Sequence, residues 1–467
     1  MYEHLASLFG GPPNAAICSL YAQWAKGEWG MILTGNVQIS GDHLTLGRDM
    51  VVPQAITQET IQLFAQLAER MRPPSVRDNP RHVSATAPLG TAVVMQLSHA
   101  GRQSPTILGG RLPFIRALAP SSIGLSPSRT SSPSAKDGWF SQLVYALAFP
   151  KPRAMSLYDI EHVVDGFVRG AKLALDAGFD GIELHASHGY LLAQFISPRS
   201  NERHDAYNAQ DEPLHLLHQL ISTIRAVVPS QFIVGVKVSS ADYVEAGSSP
   251  SVDTGIEDAI EERALGHVIE ISTWEMVDFI EISGGDYENP AFMTTSRQVF
   301  FSRFSRKARP ANLSGALEDG HADLLGIGRG SVLCPELPRL LRGYANLEHP
   351  PPSIISAKRS GSEGVTINTL FPQLPELSSV DTPLARAWHY ILSSLGILPL
   401  PKLIGAGVGM AWYVAMISRL SRGKHVDYSV GGLGAIARMW ATELRLATAS
   451  AAIFVILLLC IGRSWLC

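Results

Sequence analysis

GFDGIELHASHGYLLAQFISP, from Gly178 to Pro198, is the stretch around which the rest of the chain is arranged. Ahead of it, Leu157, Ile160, Val164, Phe167, Ala171 and Ala174 recur three and four residues apart, which predicts a helix over Ser156 to Ala177. Ser156 and Asp159 have the spacing of a capping box, and Gly178 is the stop signal. A short apolar strand follows and delivers His185, His188 and Tyr190 within a few residues. In α/β proteins the ends of parallel strands are where reactive side chains collect.

Working outward, the same alternation repeats. Trp29 to Asn36, Thr91 to Ser98, Gln231 to Ser239, Val277 to Gly285 and Ala322 to Arg329 read as buried strands. Asn14 to Glu28, Gln58 to Arg70, Pro213 to Val228 and Asp253 to Glu275 read as helices. Near-continuous apolar strands separated by helices predict a parallel sheet covered on both faces. Asp180-Gly-Ile-Glu-Leu-His185 and Asp278-Phe-Ile-Glu-Ile-Ser283 repeat one pattern, which favours a closed barrel over an open sheet.

Side chains alternate along a strand, so Glu183 shares a face with His185, Lys237 with Gly235 and Ser239, and Glu281 with Ser283. Burying these charges unpaired would cost several kcal/mol each. Either the carboxylates and Lys237 pair among themselves, or Lys237 faces a bound anion or electron-rich ring.

The chain has 467 residues and a formal charge of −3, with a pI of about 6.6. That balance speaks against a nucleic-acid surface, which needs a concentrated basic face, and for small-molecule partners. Cys18, Cys334, Cys460 and Cys467 follow no CxxC spacing, so no disulfide framework and no metal site is expected. His99 to Pro152 is rich in Ser, Pro and Gly and reads as a long loop, which in a compact enzyme is more often a lid than a linker. Leu446 to Gly462 is uncharged and flanked by Arg445 and Arg463. It sits at the lower edge of the roughly 17–25 residues that span a bilayer and is read as a membrane anchor. Leu403 to Ile417 is a second, shorter apolar run. Residues 1–345 are expected to form the barrel, 346–402 a Pro/Ser-rich linker and 403–467 a helical, membrane-attached extension, with the barrel in the cytosol.

Taken in order, Gly30-Met-Ile-Leu-Thr-Gly-Asn36, Gln96-Leu-Ser-His-Ala-Gly-Arg-Gln-Ser104, Ala119-Pro-Ser121, residues 178–207, Gly235-Val-Lys-Val-Ser239, Ile282-Ser-Gly-Gly285 and Gly326-Ile-Gly-Arg329 resemble the Old Yellow Enzyme family, in its NADH:flavin oxidoreductase branch. The resemblance covers roughly the first three quarters of the chain. It implies a TIM-type (β/α)8 barrel holding FMN non-covalently over the strand ends. In that family NADH or NADPH reduces the flavin, which then reduces an activated C=C bond of an α,β-unsaturated carbonyl compound. By the same resemblance His185 and His188 would bind the substrate carbonyl oxygen and Tyr190 would donate the proton. Thr34, Gln96, Lys237, Ser283 and Gly284 would line the flavin ring, and Gly328 and Arg329 its phosphate.

Three departures accompany the match. The chain opens at Met1-Tyr-Glu-His4, at the end of the family's first strand. Residues 286–321 are too few for a helix, a strand and a second helix, since one βα repeat takes about 30 residues. Asp205-Ala-Tyr-Asn-Ala-Gln-Asp211 replaces the family's Gly-Gly-Ser run. An incomplete barrel lacking most of its first and seventh strands is therefore expected. The alternative function is a catalytically impaired barrel serving as a membrane-attached binding or scaffold protein.

Overall fold

The structure, a computed structural model, describes residues 2–74, 90–112, 114–125, 139–239, 254–285, 287, 323–324, 326–340 and 402–440. The elements in chain order are α1 (Ala15–Ala25), β1 (Met31–Leu33), β2 (Val37–Gln38), β3 (Met50–Val51), α2 (Gln58–Met71), β4 (Ala92–Ser98), β5 (Leu118–Ala119), α3 (Trp139–Ala148), β6 (Arg153–Ala154), α4 (Leu157–Asp176), β7 (Gly181–Ala186), α5 (Leu191–Ile196), α6 (His215–Arg225), β8 (Ile233–Ser239), α7 (Thr254–Thr273), β9 (Phe279–Ser283), α8 (Arg329–Leu333), α9 (Lys402–Leu420) and α10 (Gly432–Met439). One parallel sheet runs β3-β2-β4-β7-β8-β9, with β1 also pairing to β4. The helices form an outer layer in which α1 packs on α2, α2 on α4 and α4 on α6.

The expected strand from Trp29 to Asn36 is broken in two. Leu33 pairs with Val94, Val37 pairs with Leu97, and the gap between them is spanned by Thr34, whose Oγ1 accepts the N–H of Gln96 at 2.9 Å. A side-chain hydroxyl thus replaces a ladder carbonyl at the break. Gly35 N–H is taken up by Glu3 Oε1 at 2.9 Å and Tyr21 Oη at 2.7 Å, which draws the N-terminal residues into the interior.

The repeated Asp has a physical explanation. Asp180 accepts Val93 N–H at 2.7 Å and both Arg72 guanidinium nitrogens at 3.0 and 3.1 Å, so it ties the start of β7 to the neighbouring strand and to the end of α2. Asp278 does the same one stave later, accepting Val234 N–H at 2.7 Å and Arg225 Nη2 at 2.6 Å. The capping box at Ser156 is present with both of its hydrogen bonds. On α4, a Cβ at Gly166 or Gly170 would come within 2.8 Å of Ile39 and Leu97, so the two small residues let the helix lie close on the sheet.

Several expectations are corrected. Residues 99–152 contain regular structure: helix α3, and strand β5, which pairs with β6 just beyond the span. The described residues of the expected strand from Ala322 to Arg329 are not in a strand, and Arg329 instead starts α8. A strand forms only where a neighbour offers a ladder, and among the described residues β9 pairs with β8 alone. Leu403 to Ile417 falls in α9, a core helix: Ala411, Trp412, Val414, Ala415, Met416 and Ile417 are buried, against α1, α8 and α10. Among the described residues no helix is long and apolar enough to cross a membrane. Of the expected linker over 346–402 only Lys402 is described, and it begins α9; the rest of the linker, the apolar segment 446–462 and the place of a seventh strand, 288–322, lie outside the described residues.

Candidate active site

The register of the sheet sets polar side chains in rows. Gln96 is opposite Glu183, His185 opposite Lys237, Lys237 opposite Glu281, and Ser239 opposite Ser283. Gln96 Nε2 donates to Glu183 Oε2, and Lys237 Nζ donates to Glu281 Oε1 at 2.5 Å. Burial pushes the Glu183 carboxyl well above the usual range, and the charge of Glu281 adds to it. At Glu281 burial acts the same way, but Lys237 overrides it and holds the carboxyl down at about 2. Burial also opposes the charge on Lys237, yet the two carboxyls raise its pKa. The row therefore favours the protonated form of Glu183 beside a charged pair at Lys237 and Glu281. Lys237 is paired with Glu281 within the protein.

Past the end of β7 the chain turns through His188 (φ 58°) and Gly189 (φ 70°) before α5 begins. This turn folds His188 back onto His185: Nδ1 of His188 lies 3.2 Å from Nε2 of His185, and Nε2 of His188 lies 2.8 Å from Ser283 Oγ. Ser187 N–H points to His185 Nδ1 at 3.4 Å, which makes that nitrogen an acceptor and places the His185 proton on Nε2. His185 Nε2–H then donates to His188 Nδ1, and His188 Nε2–H donates to Ser283. Burial pushes both imidazoles well below their ordinary pKa, with Lys237 adding to the effect, so both rings are neutral. The strained turn is held by Ser239 Oγ, which accepts His188 N–H at 3.2 Å, and by Gln103 Nε2, which donates to His188 O at 2.6 Å.

Tyr190 is 8% exposed and stands edge-on to His185, with ring centroids 4.8 Å apart. Burial raises its pKa well above 10, and Tyr287 raises it further while the Asn36 side chain works against the rise. It holds its proton at any physiological pH.

The interior suits the ring end of FMN. Gln96 offers an amide that can donate and accept, Lys237 a cation and Ser283 a hydroxyl, all on the C-terminal halves of strands. Ser98 Oγ and Gln103 Oε1 are buried without a hydrogen-bond partner, a polar surplus that a heterocycle rich in N–H and C=O groups can satisfy. Thr34 serves less directly, since its hydroxyl is committed to Gln96 N–H and Gly35 O and so fixes Gln96 in place. Gly284 is buried just beyond β9. Of the two residues expected at the phosphate, Gly328 precedes α8, and the Arg329 guanidinium lies 5.9 Å from the centre of the Tyr413 ring.

Sequence reasoning passed over Asn36, Gln103, Ser187 and Tyr287. Ser187 follows directly on the strand register and could have been found from it. Tyr287 sits in an irregular stretch where no periodicity points to anything.

The sequence profile of the NADH:flavin oxidoreductase / NADH oxidase family matches residues 9–347. An NADH-dependent flavin oxidoreductase, iliE, from Neonectria sp. (strain DH2) is 33% identical over 358 residues, which span 70% of this chain and 42% of that protein. The iliE of Hypocrea jecorina (strain QM6a) is 32% identical, across 71% of this chain and 81% of its own length. The solved structure of the Old Yellow Enzyme homologue from Zymomonas mobilis superposes with a TM-score of 0.53 at 21% identity, covering 80% of this chain and 92% of that one, and supports the barrel-type fold. The chain belongs to the NADH:flavin oxidoreductase / NADH oxidase family, whose members are FMN-linked and nicotinamide-dependent.

Proposed function

We propose that the chain catalyses NAD(P)H-dependent reduction of the activated C=C bond of an α,β-unsaturated carbonyl compound. The observation that carries this reading is the neutral, proton-ordered pair His185–His188 set edge-on to a protonated Tyr190. Bound FMN would supply the carrier of hydride between nicotinamide and substrate. The histidine N–H groups would donate to the carbonyl oxygen as negative charge grows there, His188 turning its Nε2–H from Ser283 to the substrate. Neutral imidazoles suit this task, because they need not lose or gain a proton as they stabilise that charge. Tyr190, kept protonated by burial, would deliver a proton to the carbon opposite the hydride. Lys237 would keep a positive charge beside the ring, moderated by Glu281. The names of the relatives support NADH as reductant.

The test is to purify the chain, release bound flavin by denaturation and record its absorbance, then follow NADH oxidation with a cyclic enone. Yellow protein with enone-dependent turnover is expected, and His185→Ala with His188→Ala is expected to keep flavin and lose turnover. Colourless protein that takes up no added FMN would overturn the reading and leave the scaffold alternative. Attachment to a membrane through 446–462, with the barrel on the cytosolic side, is part of the proposal.

A further inference from the structure

The proton donor of the proposed reaction is held from an unexpected direction. Tyr287 lies beyond β9, and its ring stands 6.3 Å from that of Tyr190 at 70°. On its other side Phe149 approaches edge-on, 6.0 Å away at 68°, and Tyr145 Oη donates to the Tyr287 carbonyl at 2.8 Å. Tyr145 and Phe149 are 6.2 Å apart, at 3% and 8% exposure. With Leu125 they form a hydrophobic cluster distinct from the main core, against which Ala148 and Tyr287 pack. Tyr145 and Ala148 belong to α3, and Phe149 directly follows it, inside the segment read from sequence as a lid. The end of α3 is anchored in turn, since Thr106 N–H donates to Ala148 O at 2.9 Å and Thr106 Oγ1 to Leu147 O at 3.0 Å.

We infer that Tyr287 is a positioning residue for Tyr190, and that α3 controls it by clamping Tyr287 through Tyr145 and Phe149. The inference rests on the proposed role of Tyr190 as proton donor. A phenol buried without a fixed partner can swing between rotamers, whereas one with its hydroxyl aligned on a second phenol keeps one orientation. With its ring edge-on to Tyr287 and its hydroxyl under the electrostatic influence of Tyr287 and Asn36, Tyr190 is held from two sides.

The experiment compares the full-length flavoprotein with Tyr287→Phe and Tyr145→Phe, both of which keep the ring and remove only a hydroxyl. Three readouts are taken: flavin reduction by NADH, reoxidation of the reduced protein by an enone, and tyrosine ionisation by ultraviolet difference titration. For Tyr287→Phe, flavin reduction is expected to be unchanged, reoxidation by the enone about tenfold slower, and the Tyr190 ionisation shifted to lower pH. Tyr145→Phe is expected to give the same pattern at smaller amplitude, and the two changes together no more than Tyr287→Phe alone. Unchanged ionisation and unchanged reoxidation in Tyr287→Phe would overturn the inference. If wild-type protein fails to reduce the enone at all, the functional reading fails, while the titration still decides whether Tyr287 governs Tyr190.

Discussion

His188 is the residue on which the site turns. A non-glycine residue in the left-handed region costs on the order of 1 kcal/mol, and the bonds to Ser239 and Gln103 hold it there. The return is that the imidazole folds back onto His185 and does not continue up the strand. Both rings are buried and neutral, with pKa values below those of the unfolded chain. Their contribution to stability is therefore fully present above the unfolded value of about 6.5 and is lost as pH falls below it. Urea unfolding between pH 7 and 5 is expected to show falling stability. His188→Asn is expected to reduce the slope by up to about 1.4 kcal/mol per pH unit, the effect of one proton. An unchanged slope would mean that the ring takes up its proton as readily in the native protein as in the unfolded chain. His185, His188 and Tyr190 were legible in the sequence because a strand end followed by three reactive residues is a local pattern. Tyr287 was not, because its meaning depends on α3 and β9 arriving beside it from distant parts of the chain.

Elements were legible where the signal was local. The stop at Gly178, the capping box at Ser156 and the apolar stripe of α4 were all in the sequence, and the box is reinforced by Arg153 bound to Asp159 at 2.8 and 2.9 Å. Ser156→Ala is expected to lower stability by about 1 kcal/mol, read as a lower melting temperature at unchanged activity. A larger loss would mean that the hydroxyl supports more than the helix end. Where an element depended on a neighbour, sequence reasoning failed. Trp29 to Asn36 has the composition of one strand, yet Thr34 interrupts it, because capturing Gln96 N–H requires a side chain in the ladder. The Asp180 and Asp278 repeat was visible, but its purpose appeared only once Arg72, Arg225 and the N–H groups of Val93 and Val234 were seen to converge on it.

For the whole molecule the decisive feature is the helical pair α9–α10, which lies beyond the residues matched by the family. Trp412 is 2% exposed and donates to Val430 O at 3.1 Å, while Trp440, after α10, stands edge-on to His4 with ring centroids 4.8 Å apart. The pair thus closes over α1 and the N-terminal residues. Removing it uncovers several large apolar side chains at about 1.5–3 kcal/mol each. A chain ending at Pro401 is therefore expected to aggregate or to bind a hydrophobic dye. A chain ending at Arg445 keeps the pair and is expected to fold with native activity; if the proposed anchor at 446–462 holds the protein to a membrane, this truncation is also expected to free it. Recovery of a stable, monomeric Pro401 truncation would show that the pair is dispensable.

The sequence alone determined the alternation of strand and helix, the parity that turns Glu183, Lys237 and Glu281 inward, and the family to which the chain belongs. Each of these is a property of neighbours along the chain or of residue spacing. Only the tertiary structure decided that Leu403 to Ile417 is a core helix, because hydrophobicity states that a segment leaves water and not what it leaves water for. It also decided that Lys237 is held by Glu281 and that Tyr190 answers to Tyr287, because such pairings depend on which strands and loops become neighbours in space.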